Sequence, residues 1–143
     1  MSLLAAIRPD DWNIALFVHV LSAMVLVGAL VLVATSVAAD NLRLGYRTLL
    51  VAVLPSWIAM RVSAQWIASK EGLDDVDPAP AWIDIGFITS EGSLLLLLAA
   101  TVCAGVAARR DRGGGLRTAT LVLVAITLVA YVVAIWAMSS KPT

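Results

Sequence analysis

The chain has 143 residues, 61% of them hydrophobic and 14% charged, with a mean hydropathy of +0.94. Soluble domains are about half apolar and a quarter charged, so this composition excludes an ordinary soluble fold and argues for a single membrane domain. Ten basic and ten acidic residues cancel, which removes the positive field that nucleic-acid binding relies on. The one cysteine, Cys103, excludes both an internal disulfide and thiolate zinc motifs.

Taken in chain order, four segments reach the roughly 20 apolar residues that a bilayer crossing needs. The first, 13–38, carries no formal charge beyond what His19 can take up. Asp10 and Asp11 stand where a signal peptide has basic residues, and the uncharged stretch 12–39 is too long for a signal's apolar core. A retained helix is therefore expected rather than a cleaved signal. The second segment, 48–69, is interrupted once, by Arg61, and contains Pro55, which is expected to kink it by removing a ladder bond. The third, 85–108, is interrupted once, by Glu91, and the fourth, 118–138, carries no charge. Backbone polar groups in lipid must bond within their own segment, so all four are expected to be helices.

The connections are short. Residues 40–47 join the first two helices, and "ARRDRGGGLR" joins the last two with Gly113, Gly114 and Gly115 as a break. The middle loop, "KEGLDDVDPAPAW", is longer, acidic and stiffened by Pro78 and Pro80. Short loops predict an all-α, antiparallel up-down four-helix bundle in one domain. Arg43, Arg47, Arg109, Arg110, Arg112 and Arg117 fall on one side, against Arg8, Lys70 and Lys141 on the other. This bias predicts both termini outside, in a multi-pass protein of the plasma (inner) membrane. Trp12, Trp66, Trp82 and Trp136 map to the outer boundary as one side of an aromatic belt.

Depth along the helices then brings four polar residues to one level. At the helical rise, His19 lies about 10 Å inward, Arg61 about 12 Å and Glu91 about 10 Å, with Tyr131 at a similar level. A charge inside a bilayer is costly unless it finds a partner, and Arg61 and Glu91 are the only formal charges within the spans. They are therefore expected to pair. Trp57, Arg61 and Gln65 recur at i, i+4, as do Phe87 and Glu91, while Thr120, Thr127 and Tyr131 share a stripe and Ser22 follows His19 by three. This layer reads either as a ligand or proton site or as interhelical hydrogen bonding that fixes register. Met24 and Met60 are soft donors that usually serve packing. Cys103 and the leucines of 94–98 read as apolar filler, and Ala100, Ala104 and Ala108 as a close-approach face. Arg109, Arg110 and Arg112 read as topology determinants that also meet anionic lipid.

The stretch "LFVHVLSAMVLVGAL" resembles the first helix of several small bacterial membrane families, which share a histidine, a small residue after it and a glycine about nine positions on. These are the copper-resistance-D-type proteins, the membrane protoporphyrinogen oxidases that bind haem b, and poorly characterised four-helix integral membrane proteins common in actinobacteria. With "WIAMRVSAQWIASKEGL", "WIDIGFI" and "VVAIWAMSSKP", the whole chain is most similar to the last group. The resemblance implies His19 as a candidate haem or metal ligand. The chain departs from the oxidase pattern in having no second histidine, and from copper handling in offering only Met24 or Met60 beside His19.

Three functional readings follow. In the first, the polar layer binds a small ligand or redox cofactor. As haem b, it would take His19 as axial ligand and Arg61 on a propionate, with Trp57 and other tryptophans as walls; the iron would be five-coordinate, or take Met60 or His19 of a second copy. As quinone, it would use His19 and Tyr131 on the carbonyls, with Glu91 relaying protons. In the second, the protein is an accessory subunit of a larger membrane complex or a homo-oligomer. In the third, Arg61 and Glu91 drive a small proton-coupled transporter. A conventional enzyme is disfavoured, because no Ser-His-acid set, phosphate-cradling loop or metal-spaced cluster is present. The expected partner in every case is the lipid bilayer, with no nucleic acid.

Overall fold

The computed structural model describes residues 10–73, 81–110 and 114–139, and these are helical apart from short turns. Four long helices form: α1 (Asp10–Ala38), α2 (Leu42–Lys70), α3 (Ala81–Arg109) and α4 (Gly114–Ser139). Each is long and apolar enough to cross a bilayer. Arg8, the side chain of Trp12, Asp74, Asp75, Asp77, Pro78, Pro80, Arg112, Gly113 and Lys141 lie outside the described residues.

The expected eight-residue connection after α1 is a tighter turn. Asp40 takes a left-handed conformation (φ 61°), and Asn41 N–H donates to Ser36 O at 2.8 Å while Asp40 N–H donates to Val37 O at 3.2 Å. This is the paired-bond ending in which an αL residue satisfies the last carbonyls of a helix. Asn41 then caps the next helix, its Oδ1 accepting from Leu44 N–H at 3.2 Å. Arg43 and Arg47 thus belong to α2 rather than to a loop; their charge, not their backbone preference, made them look like a connection.

The effect of Pro55 also differs from expectation. Residues 49–53 form a π-turn, with Leu54 N–H reaching back five positions to Leu49 O. The widened turn lies immediately before the proline, so the ladder is rearranged there rather than simply losing one bond. α3 starts at Ala81 and α4 at Gly114, four residues earlier than expected in each case. Gly114 and Gly115 form the first turn of α4, where N–H groups have no helical partner in any case.

One end of the fold, carrying Asp40, Arg43, Arg47, Arg109 and Arg117, is called here the arginine end; the other, carrying Trp66, Trp82 and Trp136, is the tryptophan end. α1 packs along α2 and α4, and α3 packs along α4 and the arginine-end part of α2. The arginine half is dry. Leu26, Leu30, Val33, Val37, Leu49, Val53, Leu97, Ala100, Ala104 and Val124 have no exposed surface. Small residues permit this: Gly105 faces the Tyr46 ring, and Gly45 faces Val37. Arg117 closes that end, donating from Nε to Val37 O at 3.0 Å and from a terminal nitrogen to Ala38 O at 2.7 Å. It also pairs with Asp40 at 2.8 Å. Sequence reasoning placed Arg117 in a loop; it is instead the residue that satisfies the carbonyls at the end of α1.

At the tryptophan end the packing opens. The segment Leu54–Lys70 of α2 leans on α1 and barely touches α3.

Candidate ligand-binding site

The opening between α2 and α3 is a cavity of about 450 Å³ lined by all four helices. Its rim is formed by Leu16, Glu71, Leu73, Trp82 and Met138, and its floor by Val27, Met60, Arg61, Ser90 and Tyr131. On α2 the lining runs from Met60 to Ala68 and continues past its end to Glu71 and Leu73; Arg61 and Glu71 are ten residues, or about 15 Å of helical rise, apart. Between rim and floor the walls are mostly apolar, with Ala64, Ile67, Ile83, Ala134 and Ile135 among them beside the polar His19 and Thr89.

The polar groups form three separate arrangements rather than one layer. In the first, α1 meets α2. His19 Nδ1 lies 3.1 Å from Met60 O and 3.4 Å from Ser63 Oγ. A carbonyl cannot donate, so Nδ1 carries a proton that it gives to Met60 O. Ser63 itself donates back to Ala59 O and Met60 O at 2.7 and 3.0 Å.

In the second, α2, α3 and α4 meet. Trp57 Nε1–H donates to Ser90 O at 3.0 Å and to Ser93 Oγ at 3.2 Å. Ser93 Oγ donates to Ser90 O at 2.8 Å and lies 2.7 Å from Tyr131 OH. Either hydroxyl can donate in the Ser93–Tyr131 bond, because Ser90 O also accepts from Trp57.

The third lies on the flank. Arg61 rests over the Phe87 ring, 4.7 Å from its centroid, and donates to Gln65 Oε1 at 3.0 Å. Its distance to Glu91 is 3.6 Å, with side-chain exposures of 25% for Arg61 and 70% for Glu91.

Of the residues singled out from sequence, His19, Arg61 and Tyr131 line the cavity. Trp57 stands behind the wall, bonded across to α3, while Gln65 and Glu91 are exposed and are not lining residues. Met60 lines the floor, but Met24 is 68% exposed and faces away, which removes it as a soft ligand beside His19. Trp82 is the tryptophan on the wall; Trp66 and Trp136 face outward. Thr120 and Thr127 are fully buried, each donating to the carbonyl four residues back.

Sequence reasoning missed Ser90 and Ser93. Both are buried, and Ser90 Oγ is a buried oxygen with no hydrogen-bond partner. The signal was their spacing of three within an apolar helix, which the charge of the adjacent Glu91 overshadowed. Among the described residues no group of three or more His, Cys, Asp or Glu side chains is placed to hold a metal ion. Comparison with protein families, with curated proteins and with solved structures finds no match for this chain.

Proposed function

We propose that this is a multi-pass protein of the plasma membrane whose cavity binds one small lipophilic ligand. Large apolar side chains are exposed along every helix, among them Phe17, Val51, Ile88 and Val129, as suits a surface solvated by acyl chains. The arginine end fits the cytoplasmic side and the tryptophan end the outer interface, giving an up-down bundle with both termini outside. The observation that carries the ligand reading is the cavity itself, about 450 Å³ with a polar floor under mostly apolar walls. Its size and its few convergent polar groups match a small-molecule site.

A quinone-class ring is the first candidate. Tyr131 and His19 line the same space, and their polar groups suit the two oxygens of such a ring. Glu91 stands off the wall, so the reading assigns it no proton relay. Haem b is the second candidate, favoured by one observation: the Nδ1–H to carbonyl bond of His19 is the kind of contact that orients a ligating imidazole. Met60 and Arg61 would then be the neighbours of the iron and of a propionate, and the haem would supply one-electron chemistry.

The test is organic extraction and an absorption spectrum, oxidised and dithionite-reduced, on protein purified in mild detergent. A stoichiometric lipophile is expected in the wild type and absent from Ala134→Trp, which fills the cavity. A Soret band lost in His19→Ala would select haem over quinone. The same unselective lipid content in both proteins, with no coloured species, would overturn the reading.

A further inference from the structure

The groups at the cavity floor carry the identity of the ligand further. We infer that the cavity selects an acidic amphiphile, its carboxylate or phosphate head on the Arg61 guanidinium and the Ser90 hydroxyl, its apolar body running up the walls. This rests on the cavity being a ligand site, as proposed above.

Arg61 is held at the floor with its ion-pair partner Glu91 at 3.6 Å rather than in a close hydrogen bond. Phe87 supports the guanidinium plane, and Gln65 takes one N–H. The 3.6 Å to Glu91 exceeds the roughly 2.7–2.9 Å of a charge-assisted hydrogen bond, and the Glu91 carboxylate is on the outside of the fold. The other formally charged lining residue, Glu71, is at the rim, about 15 Å away along α2. The guanidinium, with five N–H groups of which Gln65 takes one, keeps donors for a further acceptor, and the mostly apolar walls strengthen its attraction for an anion.

The second donor is Ser90. The residue is 6% exposed and lines the cavity, and its buried Oγ makes no hydrogen bond. A buried hydroxyl without an acceptor is costly. Ser90 lies three residues after Phe87, on the same face of α3, and Arg61 rests on Phe87. A charged fork and an unsatisfied hydroxyl thus share one corner of the floor. An acid oxygen there would satisfy both, and the apolar walls would cover its tail.

The experiment uses the purified full chain in uncharged detergent, with parinaric acid as the fluorescent probe excited by energy transfer from tryptophan, since Trp82 lies on the wall. Displacement is measured with dodecanoate, dodecyl phosphate and dodecanol, and decyl-ubiquinone serves as a neutral ring. At least one acid is expected to displace the probe about tenfold or more better than dodecanol, as a charged hydrogen bond implies. Arg61→Gln removes that preference and leaves dodecanol unchanged. Ser90→Ala weakens acid binding several-fold, and Glu91→Gln, which removes the competing carboxylate, tightens it. Should Arg61→Gln fail to fold, the opposite shifts of Ser90→Ala and Glu91→Gln still decide the matter. Equal displacement by acids and dodecanol, or an unchanged acid preference in the variants, overturns the inference while decyl-ubiquinone binding keeps the cavity reading. Displacement by none of the four ligands, with the probe itself unbound, overturns both.

Discussion

The arginine end and the tryptophan end are built from the same four helices, yet they solve packing in opposite ways. Toward the arginine end, Gly45, Gly105, Ala100 and Ala104 let backbones approach, and the core residues there have no exposed surface. Toward the tryptophan end, the segment of α2 beyond the π-turn stays with α1, and α3 stays with α4. The space between them is bridged by side chains: Trp57 to Ser90 and Ser93, and Arg61 to Phe87. In lipid no solvophobic force drives helices together, so close contact depends on shape and small residues. Where bulky and polar residues replace them, a cavity remains.

Truncation and filling should therefore have opposite consequences at the two ends. Leu97→Ala, at a position with no exposed surface, is expected to cost about 2–5 kcal/mol, read as a fall in melting temperature in detergent. Ala134→Leu, on the cavity wall, adds volume where space exists and is expected to leave the melting temperature unchanged or raise it. A large loss for Ala134→Leu would mean that the two halves are equally packed.

Glycine replacements sharpen the same contrast. An added Cβ at Gly45 would lie 2.6 Å from Val37 Cγ2, a branched side chain with no exposed surface and little freedom to move. Gly45→Ala is expected to cost about 1–3 kcal/mol. At Gly86 the added Cβ meets only the terminal methyl of Met138, the far end of a flexible side chain. Gly86→Ala should change stability by no more than about 0.5 kcal/mol.

Next in size is the closure of the arginine end. Arg117→Gln removes two charged hydrogen bonds to α1 carbonyls and the Asp40 pair. Each such bond contributes about 1.5–3 kcal/mol when sheltered, but this side chain is one-third exposed, so solvent screening lowers the expectation to about 1 kcal/mol in total. Hydrogen exchange at the end of α1 would report it most directly, and unchanged protection there would remove Arg117 from the cap. Tyr131→Phe should cost a similar amount or less, about 1 kcal/mol. Ser93 keeps its bond from Trp57 and its own donation to Ser90 O, so no buried group is orphaned.

The four helices were legible in the sequence because apolar length alone specifies them. Their ends were not, because charge was taken as a mark of loops. Arg43, Arg47 and Arg117 are charged helical residues near helix termini, and caps such as Asn41 outrank composition in setting boundaries. His19, Arg61 and Tyr131, which line one cavity, could be brought to a similar depth by counting helical rise from the boundaries. Counting fixes depth but not azimuth, so it could not tell that Glu91 faces outward while Ser90, one residue away, faces the cavity. Each residue of an α-helix is rotated by about 100° from the last, and a charge is more visible in a sequence than a serine.

The last prediction concerns the one ion pair that the sequence led us to expect within the spans. Two opposite charges alone within apolar spans suggest a buried pair, and removing one partner from such a pair costs about 3–5 kcal/mol. The expected ion pair is present, at 3.6 Å, although the Glu91 side chain is 70% exposed. Arg61 also has Phe87 and Gln65 as neighbours that do not depend on Glu91. Acyl chains would cover the exposed face of this span, so a double-mutant cycle of Arg61→Leu and Glu91→Leu is expected to give a coupling above the roughly 1 kcal/mol of water-exposed pairs. A smaller value would mean that water reaches the pair. Melting of the four proteins in neutral detergent measures it. A coupling of several kcal/mol would put the pair in a water-free setting, and the tryptophan end would then be held by charge as firmly as the arginine end is by packing.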